Sequence, residues 1–187
     1  MQDYREFLAE VLIPEQRLQQ RVSELAMEIN RDYDGQDLVM LCILRGGMVF
    51  LVDLMRQVTV PHEIDIMAIS SYAAGIRESH GNVRLTLDLQ IDIRDRNVLL
   101  IEDIIDSGNT IAYVLEFLTT RMPKTLKVCA LLDKESRREV VVPIHYRGFT
   151  IPDRFVFGYG LDIDGYYRNL TFIGVVDLEK YKVSKLT

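Results

Sequence analysis

The sequence predicts an α/β fold, with a mainly parallel central sheet flanked by helices. Three observations carry that prediction. Leu38 to Leu44 and Asn97 to Ile101 are apolar runs bounded by turn residues, the pattern of strands buried on both faces of a parallel sheet. Each is followed by a short turn and then a stretch with helical spacing, as strand–helix–strand units require. Apolar residues make up 48% of the 187 residues, enough to bury a sizeable core in one domain spanning 1–187.

Taken in order, Pro14 suits the first turn of a helix. Leu18, Val22, Leu25, Ala26 and Ile29 recur at helical spacing and give it one buried face, which Asp34-Gly35 ends. After the first buried strand, Arg45-Gly46-Gly47 interrupts and Met48 to Arg56 resumes as an apolar helix. Ile64 to Ser70 alternates and reads as the next strand. Ala73 to Asn82 is small, polar and glycine-containing, which predicts a long loop, mobile without substrate. Val83, Leu85, Leu87, Leu89 and Ile91 alternate with polar residues, as a strand with one buried side does. Asn97 to Ile101 follows, capped by Glu102-Asp103. A helix is expected over Thr110 to Arg121, stopped by Pro123, and then a strand over Leu126 to Leu132. From Pro143 onward glycines and aromatics predict short strands and loops, ending with Phe172 to Val176.

Composition narrows the function. No apolar run is long enough to span a bilayer, and Met1 to Glu10 is polar and acidic, unlike a secretory or transit peptide. Cys42 and Cys129 sit inside apolar runs, as buried thiols of a reducing, cytoplasmic compartment do. His62, His80 and His145 are scattered and form no zinc-ligand pattern. The net charge of −6 opposes a general nucleic-acid-binding role, which needs a basic face. Asp88, Asp92 and Asp95 read as a solvated face.

The informative segment runs from Val98 to Thr110. Ligands of open α/β sheets bind beyond the carboxyl ends of strands, and this segment sets Glu102 and Asp103 at such an end. A loop of Asp106, Ser107, Gly108, Asn109 and Thr110 then opens a helix. Small residues let backbone N–H groups converge there, and the helix N-terminus adds positive potential, so the loop suits a phosphate. The paired glycines and lysine of a Walker loop are absent, as are the three glycines of a dinucleotide fingerprint. Carboxylates beside a phosphate would repel it unless they hold sugar hydroxyls or a bridging Mg²⁺. The segment therefore points to a ribose phosphate with a metal.

Glu102 to Thr110 resembles the phosphoribosyl pyrophosphate motif of the type I phosphoribosyltransferases. Four more stretches resemble the hypoxanthine-guanine branch of that family in its order along the chain. They are Leu44-Arg45-Gly46-Gly47, Ser71-Tyr72, Leu131-Leu132-Asp133-Lys134, and Ile151 to Tyr159 running on to Asp162 and Arg168. The resemblance covers roughly residues 38 to 176 and implies a small hood formed by terminal segments. Family members often carry lysine at positions 45 and 109, where arginine and asparagine stand here.

The resemblance implies transfer of a phosphoribosyl group to hypoxanthine or guanine, with Mg²⁺ held by Glu102, Asp103 and Asp162. It implies pyrophosphate contacts from Arg45, Gly46 and Arg168, a cis peptide at Leu44–Arg45, and 5-phosphate contacts from Ser107 to Thr110. Asp106 becomes the general base or acid at the purine N7. Lys134 can donate to the purine O6; taken alone it reads as a solvated lysine beside Glu135, Arg137 and Arg138. Phe155 can stack on the purine and Val156 supply backbone hydrogen bonds; taken alone, Phe155 reads equally well as a core aromatic. Ser71 and Tyr72 would belong to a lid. The implied partners are phosphoribosyl pyrophosphate and the two bases, with no nucleic acid and no membrane, in a homodimer or homotetramer. Two rivals stay open: an RNA-binding regulator on the same fold, and a transferase for xanthine, adenine or a pyrimidine.

Overall fold

The computed structural model describes residues 3–71 and 83–184. A six-stranded sheet has the order β4-β3-β2-β5-β6-β7. Its members are β2 (Leu38–Leu44), β3 (His62–Ser71), β4 (Val83–Leu87), β5 (Asn97–Ile105), β6 (Thr125–Asp133) and β7 (Tyr146–Thr150). All neighbours are parallel except β3 and β4, so one antiparallel edge strand closes an otherwise parallel sheet.

Alternation along the buried strands sorts their side chains to two faces. Met40, Cys42, Leu99, Ile101, Cys129 and Leu131 share one core with Leu18, Val22, Leu25 and Ile29 of α1 (Glu15–Asp32) and Phe50, Leu51 and Leu54 of α2 (Gly47–Met55). Val39, Leu41, Val98, Leu100, Val128 and Ala130 pack instead with Ile111, Val114 and Leu118 of α3 (Asn109–Thr119). The apolar runs are two-sided because each face carries a helix, which is the predicted α/β arrangement.

Several boundaries differ from the sequence reading. Pro14 is the N-cap, and α1 begins at Glu15. Strand β5 does not stop at Ile101: it pairs with β6 as far as Ile105 opposite Asp133, so Glu102 and Asp103 lie within the strand's last turn of pleat, not beyond it. Leu8–Ile13 forms a strand, β1, in a stretch to which the sequence pattern assigned no element. It pairs antiparallel with β9 (Ile173–Val176), which also pairs with β8 (Val156–Phe157). This three-stranded sheet is the hood. Its own core is Phe7, Phe157, Ile163 and Val176, aromatic-rich because a small layer fills best with large rings.

Tyr72 and the loop from Ala73 to Asn82 lie outside the described residues. Ser71 ends β3 opposite Val83. His62 Nδ1 lies 2.8 Å from the Val60 carbonyl, and His145 Nδ1 accepts the Val128 N–H at 3.0 Å. Both partners are backbone groups, in keeping with a structural role. Asp88 is not merely solvated; it pairs with Arg121 at 2.6 Å. No helix among the described residues is long and apolar enough to cross a membrane.

Candidate active site

Strand β2 has β3 on one side and β5 on the other, so the chain order reverses between β2 and β5. Loops leaving adjacent strands at such a switch point diverge and open a crevice at the carboxyl ends. Here the two loops are 45–46, after β2, and 106–108, after β5.

The first loop begins with a cis peptide bond between Leu44 and Arg45. Gly46 lies against Asp103. A Cβ built on Gly46 would stand 2.5 Å from Asp103 Cγ, with Oδ2 closer still. The hood loop lies on the other side, where a Cβ on Gly160 would overlap the Gly46 carbonyl oxygen. Arg168 donates to the Gly160 carbonyl at 2.7 Å and pairs with Asp162 at 2.6 Å. Tyr159 donates to Asp53 of α2 at 2.7 Å, tying the hood to the helix that starts at the first loop. The hood thus delivers Asp162 and Arg168 to the region of Asp103, whose ionisation both of them influence.

Burial pushes the Asp103 carboxyl up to about 6, opposed by the Ile104 N–H that its Oδ1 accepts at 2.8 Å. Burial, and then the Asp103 charge, raise the Glu102 carboxyl well above the usual range. Glu102 Oε2 is buried without a hydrogen-bond partner. An orphaned carboxyl oxygen beside a second acid requires either a proton or a cation, so the pair suits a divalent ion. Among the described residues no group of three or more acids, histidines or cysteines stands close enough to hold a metal. The three-carboxylate set expected from Glu102, Asp103 and Asp162 is therefore not brought together: Asp162 is taken up by Arg168 and by the Gly165 N–H at 2.6 Å.

Beyond β5, Glu102, Ile104 to Gly108, Thr110 and Ile111 line a cavity of about 190 Å³. Small-molecule sites commonly run to roughly 300–1,000 Å³, so this cavity has room for only part of a nucleotide-sized molecule. A larger depression of about 510 Å³ between α1 and Phe149 of β7 is remote from both loops. Gly108, at φ 89°, is the N-cap of α3, so the small cavity sits at a helix N-terminus as predicted. The side chain of Asn109 donates to Ser107 Oγ at 3.2 Å and to Glu139 at 2.8 Å.

Lys134 is not the solvated lysine of the alternative reading. It is 5% exposed, held at the end of β6 by its N–H to the Ile105 carbonyl at 3.0 Å. Its ammonium stands 3.2 Å from Asp106 Oδ1, an ion pair without the angle of a hydrogen bond. Phe155 is not a core aromatic either; it is about half exposed, while Val156 beside it is buried. The sequence reading assigned nothing to Asp133, Arg138 and Glu139, which contact or brace the second loop. Arg138 was hidden in a charged run whose usual fate is solvation, and no standard spacing links it to Asp133.

A phosphoribosyl transferase domain model matches residues 12–164. The chain belongs to that family. It is 49% identical over 171 residues to the hypoxanthine phosphoribosyltransferase of Escherichia coli strain K12, covering 90% of this chain and 96% of that protein. It is 43% identical over 178 residues to the hypoxanthine-guanine phosphoribosyltransferase of Mycobacterium avium, covering 92% and 87%. A crystal structure of the Staphylococcus aureus hypoxanthine phosphoribosyltransferase superposes with a TM-score of 0.90 at 40% identity, covering 95% of this chain and 96% of that one. The phosphoribosyltransferase fold expected from the motifs is the fold of this chain.

Proposed function

We propose that this phosphoribosyltransferase joins hypoxanthine, and guanine, to the phosphoribosyl group of phosphoribosyl pyrophosphate, giving IMP or GMP and pyrophosphate in purine salvage. The observation that carries the reading is the Lys134–Asp106 pair beside the small cavity. It sets a donor-only ammonium next to a carboxylate acceptor. A 6-oxopurine presents the matching edge, with O6 to accept and an adjacent N7–H to donate. Adenine presents an amino group in place of O6 and would set donor against donor.

In this reading Ser107 to Thr110 take the 5-phosphate through converging N–H and hydroxyl groups. Arg45, the Gly46 backbone and Arg168 take the pyrophosphate. Phe155, about half exposed, stacks on the base, while Val156 and Asp162 supply contacts at its C2 edge. Ser71 and Tyr72 belong to the lid. Glu102 and Asp103 would hold the ribose hydroxyls and Mg²⁺, a hard cation that takes carboxylate oxygens. The metal, when bound, neutralises charge on the departing pyrophosphate.

The reaction breaks the bond from C1 of the ribose to the pyrophosphate oxygen and forms a bond from C1 to purine N9. Positive charge on the ribose and negative charge on the leaving group develop together, so Arg45 and Arg168 act where charge appears in the transition state. Asp106 takes the N7 proton that the neutral base sheds, which is typically worth about 10²–10⁴-fold. Lys134, whose ammonium stands 3.2 Å from Asp106 Oδ1, holds that carboxylate beside the base. The reading treats 1–187 as one domain of a cytoplasmic homodimer or homotetramer.

The test is pyrophosphate release with phosphoribosyl pyrophosphate, Mg²⁺ and one of five bases: hypoxanthine, guanine, xanthine, adenine or a pyrimidine. Turnover with hypoxanthine and guanine and at least about 10²-fold lower kcat/KM with adenine is expected, as for a site built around one hydrogen bond. Efficient use of adenine or the pyrimidine would replace the reading with a transferase of other specificity. No turnover with any base would favour the RNA-binding regulator.

A further inference from the structure

The carbonyl oxygens of the loop after β5 are held from behind. Arg138 Nε donates to the Asp106 carbonyl at 3.1 Å, and its Nη2 lies 3.5 Å from the Ile105 carbonyl. The next two N–H groups, of Glu139 and Val140, donate to the Ser107 carbonyl at 2.9 and 3.0 Å. Residues 138–140 therefore form a strap against three successive carbonyls, the last of β5 and the first two of the loop, the Ile105 carbonyl also accepting the Lys134 N–H at 3.0 Å.

This has a geometric consequence. In a trans peptide the carbonyl of one residue and the N–H of the next point in opposite directions, and none of these three peptides is cis. Fixing the carbonyls of Ile105, Asp106 and Ser107 against the strap turns the N–H groups of Asp106, Ser107 and Gly108 the other way. Asp106, Ser107 and Gly108 are among the residues that line the small cavity. The strap packs tightly, since a Cβ on Gly108 would overlap the Val140 carbonyl oxygen and come 3.0 Å from Arg138 Cδ. Glycine is required there twice, by its positive φ and by the approach of the strap.

Arg138 is itself anchored. Its guanidinium pairs with Asp133, a carboxylate 1% exposed that Arg147 also contacts at 3.1 Å. A buried carboxylate is tolerated when paired, and here its pairing directs the guanidinium fork toward the two carbonyls. Asp133 precedes Lys134, so one turn of chain fixes both the ammonium beside Asp106 and the peptides that follow Asp106.

We propose that Arg138, seated on Asp133, is a positioning residue that presets the N–H groups of the 5-phosphate loop before substrate arrives. The inference rests on the reading of that loop as the 5-phosphate subsite. A preset loop binds without having to order its peptides at that moment, so its contribution appears only in ligands that carry the phosphate.

The test compares binding of IMP and of inosine, which lacks the 5-phosphate, by calorimetry on the intact protein. Arg138→Met leaves Asp133 short of charge and risks unfolding, so Arg138→Lys is the decisive variant. It keeps a cation beside Asp133 and loses the planar fork that spans two carbonyls. The IMP-to-inosine affinity ratio is read within each protein. In Arg138→Lys the ratio should fall at least tenfold and toward about 10²-fold, the scale of an ångström-sized misplacement, with inosine affinity within twofold of wild type. Equal loss for both ligands, or an unchanged ratio, would overturn the strap. If wild type binds IMP no better than inosine, the 5-phosphate reading fails and the strap with it. A wild-type ratio retained by Arg138→Lys sinks the strap alone.

Discussion

Replacing Gly46 by alanine tests the closest approach in the site. Gly46 has φ −64° and ψ −43°, a conformation alanine adopts freely, so any effect comes from space. The new Cβ would stand 2.5 Å from Asp103 Cγ and nearer to Oδ2. Real Cβ contacts essentially never fall below 3.0 Å, so Asp103 must swing away, its Oδ2 by more than an ångström. The obstacle is the end of a side chain, and the backbone need not yield. An off-rotamer side chain costs about 0.5–1.5 kcal/mol. Loss of the Asp103–Ile104 hydrogen bond costs about 0.5–1.5 kcal/mol more. Gly→Ala returns about 0.4–1 kcal/mol through the unfolded state. The net destabilisation is then about 0–2.5 kcal/mol, or a Tm lowered by no more than about 10 °C at 2–4 °C per kcal/mol. Activity should suffer far more, because a carboxylate displaced by an ångström from sugar and metal costs about 10²-fold. Calorimetry gives Tm, and initial rates of pyrophosphate release against phosphoribosyl pyrophosphate give kcat/KM. A Gly46→Ala protein with kcat/KM within threefold of wild type would refute the placement of Asp103. So would one that unfolds outright, because the strain would then lie in the backbone.

Asp106→Asn should keep the fold and bind IMP, yet lower kcat at least tenfold and toward the roughly 10²–10⁴-fold typical of lost proton transfer; an unchanged kcat removes Asp106 from the mechanism. Lys134→Ala should narrow the preference for hypoxanthine over adenine by about tenfold or more, since a lost donor no longer penalises the amino group; unaltered selectivity in kcat/KM would sink the O6 assignment. Burial raises Asp103 to about 6, so the folded state holds this proton more tightly than the unfolded chain does. Its contribution to stability is full below about pH 4, the unfolded value, and is lost as pH rises through about 6. Asp103→Asn should therefore weaken the decline in Tm between pH 4 and pH 7 in metal-free buffer, and an identical Tm profile would show that Asp103 does not titrate in that window.

The fold class was legible because two-sided burial leaves a local trace. Leu38 to Leu44 has no polar residue to offer a solvent face, so helices had to cover both sides, and they do. The acid pair, the small-residue loop and the helix after it could be read for the same reason, since their chemistry lies within one short stretch of chain. Other features depended on partners far away in sequence. Strand β1 was not assigned from local pattern because its pairing with β9 joins opposite ends of the chain; only the family resemblance implied a hood of terminal segments. The extension of β5 through Glu102 and Asp103 depended on β6 continuing opposite it. Burial of Lys134 against Asp106 and exposure of Phe155 were decided by packing, because the same residue types fit either environment. Arg138 shows the limit most plainly. A run of charged residues is solvated by default, and only the folding of β5 beside β6 brings a buried carboxylate and two backbone carbonyls within reach of its guanidinium. Local pattern determined most of the elements and pointed to the loop after β5 as a place suited to phosphate. Tertiary structure alone decided which charges meet, because electrostatic and hydrogen-bond partners are chosen by distance in space, which spacing along the chain does not encode.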